Sequence, residues 1–97
     1  MVRVGLFVRL KAKHGKEDEV AAFLKSGLAL VMEEPLTVTW YALQFNASEF
    51  GIFDSFGDDI GRNAHLSGKV AEALLAHAGD LLTEAPRIEK VDLLAAK

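Results

Sequence analysis

The chain contains no cysteine, which excludes a disulfide scaffold and any thiolate metal site. No apolar run approaches the roughly 20 residues that a membrane span requires. The densest basic group, residues 11–16, is followed at once by acidic residues, and the net charge of -3 argues against nucleic-acid binding. The amino terminus also lacks the pattern of a signal peptide. We therefore expect no membrane partner, no nucleic-acid partner and a cytoplasmic location.

The 97 residues, 51% of them hydrophobic, predict one domain, residues 1-97, with a single small core. A domain of this size buries only part of its apolar surface, so dimerisation is an expected supplement to its stability.

Hydrophobic periodicity divides the chain into strands and helices. Over Val2–Lys11 every second residue is aliphatic, from Val2 to Leu10, which predicts a strand with one fully apolar face. A helical period covers Lys16–Glu33, and Pro35 ends that helix. Two segments rich in β-branched and aromatic residues, Thr37–Phe45 and Phe50–Phe56, predict a hairpin across a short polar turn.

The rest of the chain predicts two helices and a strand. Asp58 or Asp59 is suited to cap a short helix that runs through His65. The Ser67-Gly68 pair indicates a break with a fresh cap, followed by a helical stripe to Leu81 and a strand over Arg87–Leu94. The order β-α-β-β-α-β predicts an α+β, ferredoxin-like fold, in which both helices cover one face of a four-stranded antiparallel sheet.

The second predicted strand is apolar on both sides, which is unusual for a sheet with one wet face. Val38, Trp40 and Ala42 alternate there with Tyr41, Leu43 and Phe45, and Phe7 and Phe53 add aromatic rings on other strands. An uncovered face of this kind would be a large apolar patch. We expect a homodimer that covers it by packing sheet face against sheet face.

Several short segments together resemble the antibiotic biosynthesis monooxygenase (ABM) family of dimeric α/β-barrel proteins. They are Arg9-Leu10-Lys11-Ala12-Lys13, Gly15-Lys16-Glu17, Glu34-Pro35, Phe53-Asp54-Ser55-Phe56 and Ala64-His65-Leu66. The resemblance covers nearly the whole chain and rests on their order and spacing. It implies a dimeric α/β barrel and a cofactor-independent monooxygenase of the quinol-oxidising type.

This chain departs from the family pattern at three positions. Asp54 and Phe56 stand where family members often have Glu and Trp, and Leu36 stands where they often have Gly. In family members this tryptophan commonly lines the pocket, so its absence here weakens any assignment of a specific family substrate to this chain. The Asn-Trp-His set of the related haem-degrading branch is absent, which argues against haem.

His65 is the first candidate catalytic residue, because an imidazole exchanges protons near neutral pH. It would orient or deprotonate a phenol or quinol hydroxyl, or else bond a backbone carbonyl in a structural role. Asp54 needs a partner if it is buried. Arg9 on the first strand is the favoured partner, in a structural ion pair, and an acid/base role for Asp54 is the alternative.

Asn63 is the third catalytic candidate, since its amide is able to donate to a substrate carbonyl. Arg62 is predicted to be a solvated or interface residue, with ligand contact as the alternative. Phe56 and Trp40 share strand parity with Asp54 and Ala42 and are the predicted walls of the pocket.

Two further residues are assigned to substrate binding. Phe53 belongs to the aromatic set, most of which we expect in the core or the dimer interface. His77 lies on the apolar stripe of the long helix and is predicted to be a core histidine or the pocket's second polar group.

No metal or cofactor is predicted. His14, His65 and His77 fall in different elements, and the glycines do not form a known phosphate-binding loop. Three functions stay open: a monooxygenase acting on a small aromatic phenol or quinol, a non-catalytic dimer that binds such a ligand, and a purely structural dimer. The last predicts a filled space between sheet and helices.

Overall fold

The computed structural model describes all 97 residues. The elements are β1 (Val4–Lys11), α1 (Glu17–Val31), β2 (Thr37–Gln44), β3 (Glu49–Phe56), α2 (Asp59–Leu66), α3 (Lys69–Leu81) and β4 (Arg87–Asp92). The strands form one sheet in the order β2-β3-β1-β4, and every neighbouring pair is antiparallel. This confirms the predicted α+β, ferredoxin-like fold.

The core lies between the sheet and the helices, on the side that the alternation in β1 predicted. Its buried side chains come from β1, β3, α1 and α3 and include Leu6, Val8, Leu10, Phe50, Ile52, Val20, Leu24 and Leu74. Burying one such side chain contributes about 1.5–3 kcal/mol relative to leaving it exposed.

The short helix α2 begins where the sequence predicted. The carboxylate of Asp58 accepts hydrogen bonds from the backbone N–H groups of Ile60 and Gly61, which have no partner within the helix. The break predicted at Ser67-Gly68 separates α2 from α3, and Gly68 is the N-cap residue of α3, although no side chain caps that helix. The Ser67 hydroxyl bonds back to carbonyls at the end of α2, and Gly68 is the residue that precedes α3.

The first helix ends earlier than predicted, at Val31 rather than Glu33. The backbone N–H of Glu34 donates to the carbonyl of Val31 over 2.9 Å, which forms a final turn. Pro35 cannot extend the helix and restricts the residue before it to extended conformations. The turn therefore holds Glu34 at a defined place beyond the helix end.

A β-bulge at the start of β2 changes the direction of one side chain. Thr39 pairs with Ser55 and Thr37 pairs with Phe56, so Val38 is an extra residue and is 60% exposed. In a regular strand Thr37 would share the outer face with Thr39. The bulge instead turns Thr37 toward the helices.

The face of the sheet opposite the helices carries aromatic side chains. Tyr41 and Phe45 are about half exposed there, beside the partly buried Phe7 and Phe53. The guanidinium of Arg9 lies 4.9 Å from the ring centroid of Phe7 and 5.0 Å from that of Phe45. None of the helices combines the length and apolar character needed to cross a bilayer.

Candidate functional site

His65 is a buried imidazole at the carboxyl end of α2. Only 7% of the residue is exposed, and its ring packs against Phe56 of β3 with a centroid distance of 5.5 Å and an interplanar angle of 45°. The Asp58 cap fixes the start of the helix, so the strand end and the cap together determine where the ring lies.

Each ring nitrogen of His65 meets a carboxylate. Nδ1 is 2.6 Å from Oε1 of Glu34, and Nε2 is 3.1 Å from Oδ2 of Asp54. The first contact is a hydrogen bond, whereas the second is an ion pair without good hydrogen-bond alignment. Asp54 is 1% exposed and lies behind the ring. We call the three residues Glu34, His65 and Asp54 the buried charge cluster.

The cluster favours the charged form of His65. Burial of the ring lowers the pKa, but the interactions with Asp54 and then with Glu34 outweigh it, so the pKa is raised above the ordinary 6.5. A protonated ring is able to donate a proton toward each carboxylate. With the ring protonated, one positive charge lies between the buried carboxylate of Asp54 and the partly buried carboxylate of Glu34.

Glu34 has a second hydrogen-bonding partner. The hydroxyl of Thr37 donates to Glu34 Oε1 over 2.6 Å, so this oxygen is bound by both the hydroxyl and the imidazole. Oε2 makes no hydrogen bond and lies beside Gly68, 3.2 Å from the position that a Cβ would take there. A side chain at residue 68 would therefore crowd the carboxylate.

A cavity of about 340 Å³ opens beside the cluster, between the end of α1, the start of β2 and the α2–α3 junction. Its apolar lining comes from Leu30, Pro35, Leu36 and Ala64, and its polar lining includes Glu34, Thr37 and His65. Lys69 also lines it. The combination of an apolar wall and a few polar groups at one end is typical of sites for small ligands.

Three of the predicted site residues lie with His65. Asp54 contacts the ring, Phe56 packs beneath it, and Trp40 stands directly opposite Asp54 across β2 and β3. Neither Phe56 nor Trp40 lines the cavity. Phe56 is fully buried, and Trp40 packs close to Gly27 and borders a separate groove on the α1 side.

Three other predicted site residues lie away from the cavity. Asn63 is exposed on the far side of α2, and Phe53 is on the outer face of the sheet. His77 is exposed and contacts Phe23 edge to face at 5.3 Å between ring centroids. The prediction of a core histidine at residue 77 was wrong, because His77 lies on the side of α3 that faces solvent.

Arg62 is not the solvated residue that we predicted. Its side chain is 9% exposed, and Nη1 donates to the carbonyls of Gly5 and Val91, over 3.2 Å in each case. Nη2 pairs with Asp59 one turn earlier in α2. Arg62 therefore joins α2 to β1 and β4, and it does not line the cavity.

The predicted Arg9–Asp54 ion pair was also wrong. Arg9 pairs with Gly51 and lies on the outer face, whereas Asp54 pairs with Leu6 and faces the helices. The sheet separates the two side chains. His65 is the cation that accompanies Asp54 instead.

Two cavity residues were missed as functional candidates, Glu34 and Thr37. Glu34 was noted only as part of the Glu34-Pro35 step, although a carboxylate held next to a proline at a helix end was an available signal. Nothing in the sequence indicates that Thr37 faces the helices, because its direction depends on the bulge.

No group of three or more His, Cys, Asp or Glu side chains is arranged to hold a metal ion. In the buried charge cluster the two ring nitrogens of His65 face different carboxylates, so the three side chains do not converge on one point.

Comparison with solved structures places the chain among proteins of this fold. The NE2512 protein of unknown function from Nitrosomonas europaea is 54% identical, with a TM-score of 0.98, over 100% of this chain and 94% of that one. A putative antibiotic biosynthesis monooxygenase, also from Nitrosomonas europaea, has a TM-score of 0.84 at 14% identity, over 95% and 99% of the two chains. Another putative antibiotic biosynthesis monooxygenase, from Chloroflexus aurantiacus, has a TM-score of 0.75 at 16% identity, over 98% and 96%. No protein-family model and no curated protein matches the sequence.

The fold is thus the one seen in these ABM proteins, as the sequence resemblance implied. At the level of sequence, the chain belongs to the same family as NE2512 of Nitrosomonas europaea.

Proposed function

We propose that the protein is a cofactor-independent monooxygenase that acts on a small aromatic phenol or quinol held in the cavity beside His65. The observation that carries the proposal is the meeting of an apolar cavity of about 340 Å³ with the buried charge cluster at one end. An aromatic ring suits the apolar walls, and its hydroxyl suits the carboxylate at the polar end of the cavity.

The proposed chemistry begins with removal of the hydroxyl proton. The resulting anion is electron-rich and passes electrons directly to dioxygen, so the substrate supplies all the reducing equivalents. For hydroquinone, the quinol and one O₂ give a hydroxyquinone and one water. One oxygen atom enters the ring, and the other leaves as water with two hydrogens from the substrate. General acid–base assistance of this kind typically accelerates a reaction by about 10²–10⁴-fold.

An oxygen-electrode assay with a panel of hydroquinones and phenols tests this proposal. We expect uptake of one O₂ per substrate, formation of a hydroxylated quinone detected by mass spectrometry, and loss of turnover in His65→Ala. A His77→Ala variant is the matched control and should keep the wild-type rate. Uptake across the whole panel that does not exceed that of His65→Ala would eliminate the enzymatic proposal.

A second candidate is a non-catalytic protein that binds the same class of ligand. It is favoured by the occupation of both ring nitrogens of His65 and by the raised pKa, because a protonated ring with two partners is a poor base. It predicts thermal stabilisation by a bound phenol without oxygen uptake. The open cavity counts against the third alternative, a structural dimer with a filled interior.

We also propose that two copies pack through their outer sheet faces. The support is the half-exposed Tyr41 and Phe45, beside Phe7 and Phe53, on a face that no helix covers. Light scattering over a dilution series tests it, and Tyr41→Lys should shift the protein toward the monomer. A wild-type monomer at micromolar concentration would overturn this proposal.

A further inference from the structure

We infer that Glu34 is the residue that accepts the hydroxyl proton of the ligand, and that His65, Asp54 and Thr37 are positioning residues for its carboxylate. The inference rests on the proposed function, since it takes the ligand to be a phenol or quinol in the cavity. It assigns the contact with the hydroxyl to a residue that the sequence did not single out.

His65 has no free nitrogen to offer a ligand. Nδ1 is bound to Glu34, and Nε2 faces Asp54 at 3.1 Å on the side away from the cavity. Asp54 does not line the cavity. A ligand hydroxyl that approached the ring would have to displace one of the two carboxylates, at the cost of leaving a buried charge without its partner.

Glu34 has the free acceptor that His65 lacks. Oε1 is engaged by both the Thr37 hydroxyl and the imidazole, which leaves Oε2 without a hydrogen bond. Oε2 lies beside Gly68, and both Glu34 and Gly68 line the cavity. The two bonds at Oε1 and the final turn of α1 hold the carboxylate in one orientation, which leaves Oε2 for the ligand.

Charge balance supports the same assignment. When the hydroxyl gives its proton to Oε2, its O–H bond breaks, the electron pair stays on the ligand oxygen and a new O–H bond forms on Glu34. The negative charge moves from Glu34 to the ligand, within the field of the same imidazolium. The imidazolium therefore stabilises the ligand anion once Glu34 is neutral.

The assignment also defines the ligand class as neutral hydroxyl donors. A methyl ether of the same ring fills the same apolar walls but has no proton for Oε2. A carboxylate would bring a second negative charge against Glu34. We expect both to bind more weakly than the parent quinol.

Calorimetric titration with hydroquinone and with its dimethyl ether, 1,4-dimethoxybenzene, tests the inference without requiring turnover. Wild type should prefer hydroquinone by about tenfold, the usual value of a hydrogen bond to a charged acceptor. Glu34→Gln should lose most of this preference. Glu72→Gln, the same change at an exposed position in the first turn of α3, should keep it.

The Thr37 variants test whether Thr37 positions the Glu34 carboxylate. They also replace Glu34→Gln as the test of the inference if that variant does not fold. Thr37→Val removes the hydroxyl at nearly constant shape and should reduce the preference, while Thr37→Ser should restore it. A merely structural role for Thr37 would lower the stability without changing the ratio of the two affinities.

A full preference for hydroquinone in Glu34→Gln, or in Thr37→Val if Glu34→Gln is unfolded, would overturn the inference. Its failure is distinct from that of the proposed monooxygenase. If no oxygen is taken up but the preference for hydroquinone still depends on Glu34, the catalytic function is excluded while the contact between Glu34 and the ligand hydroxyl is supported.

Discussion

The two histidines that the sequence singled out on the helices lie in opposite surroundings. His65 is buried between the carboxylates of Glu34 and Asp54, with each ring nitrogen facing one of them. His77 is exposed and its ring contacts that of Phe23 edge to face. It also borders an open groove of about 540 Å³. The same residue type is thus part of a charged interior in one place and part of the surface in the other.

The neighbours of a histidine, more than its place on a helix, therefore decide what it is able to do. The buried carboxylate of Asp54 and the partly buried carboxylate of Glu34 make the positive charge of His65 part of the folded state, because a carboxylate withdrawn from water needs a cation. The groove beside His77 contains the exposed Lys13 and Asp80 and the partly exposed Lys16, and charges in contact with water interact weakly.

The largest expected difference between the two regions is in stability. His65→Ala leaves Asp54 and Glu34 without a cation and should cost about 3–5 kcal/mol, as when one partner of a buried ion pair is removed. His77→Ala should change the free energy of unfolding by no more than about 0.5 kcal/mol. Urea unfolding at neutral pH measures both.

Adding Asp54→Asn to the His65→Ala variant tests whether the unpaired Asp54 charge causes the loss of stability. The double variant should recover part of the loss, because the neutral amide no longer needs a partner charge. Equal costs for the two single histidine variants would contradict the comparison.

The second expected effect is a pH dependence that belongs to His65 alone. Its folded-state pKa lies above the unfolded value near 6.5, so its contribution to stability is complete below pH 6.5 and is lost as the pH rises through the folded-state pKa. The free energy of unfolding should therefore fall with rising pH above 6.5 in wild type and in His77→Ala.

His65→Gln should lack this fall, since it has no group that titrates in this range at the site. Urea unfolding at a series of pH values checks the prediction. A wild-type stability that rises over the same range would show that the ring is neutral in the folded protein.

A smaller effect on stability is expected when alanine replaces one glycine in each region, and the sign of the effect differs between the two. At Gly68 a Cβ would lie 3.2 Å from Glu34 Oε2 and 3.3 Å from two backbone carbonyl oxygens, so Gly68→Ala should cost about 1 kcal/mol. At Gly79, near His77, nothing lies within 4 Å, and Gly79→Ala should stabilise α3 by about 0.5–1 kcal/mol. Thermal unfolding should therefore give a lower midpoint for the first variant and a higher one for the second.

The smallest effect is expected for the ion pair in the His77 region. Lys16 Nζ and Glu19 Oε1 are 3.3 Å apart, and both side chains are largely exposed. Glu19→Gln should change the free energy of unfolding by less than about 0.5 kcal/mol. Urea unfolding of this variant and of Glu34→Gln compares an exposed carboxylate with a partly buried one. A cost for Glu19→Gln as large as that for Glu34→Gln would show that burial does not set the difference.

The fold was predictable because its signals are local. The alternation in β1, the helical stripes and the Asp58 cap each depend on residues within a few positions of one another, and the structure contains all of them. The carboxyl end of α1 was predicted two residues too late, since a turn of similar composition follows the helix before Pro35.

The site was predictable only in part. His65, Asp54 and Phe56 were expected near one another and do lie together. The partner of Asp54 was wrong, because which face of β3 carries the carboxylate depends on strand register. The burial of Arg62 was missed, because the carbonyls that it binds belong to two other strands.

The order of the elements, the apolar face of each and the absence of any cysteine chemistry follow from the amino-acid sequence, since periodicity and composition depend on residues that are near one another in the chain. That Glu34 and Asp54 enclose His65 depends on the folded structure. These residues stand 11 to 31 positions apart, and a turn beyond α1, a bulge in β2 and the register of β3 bring them together. Charges this far apart in the chain interact only after folding removes the water between them.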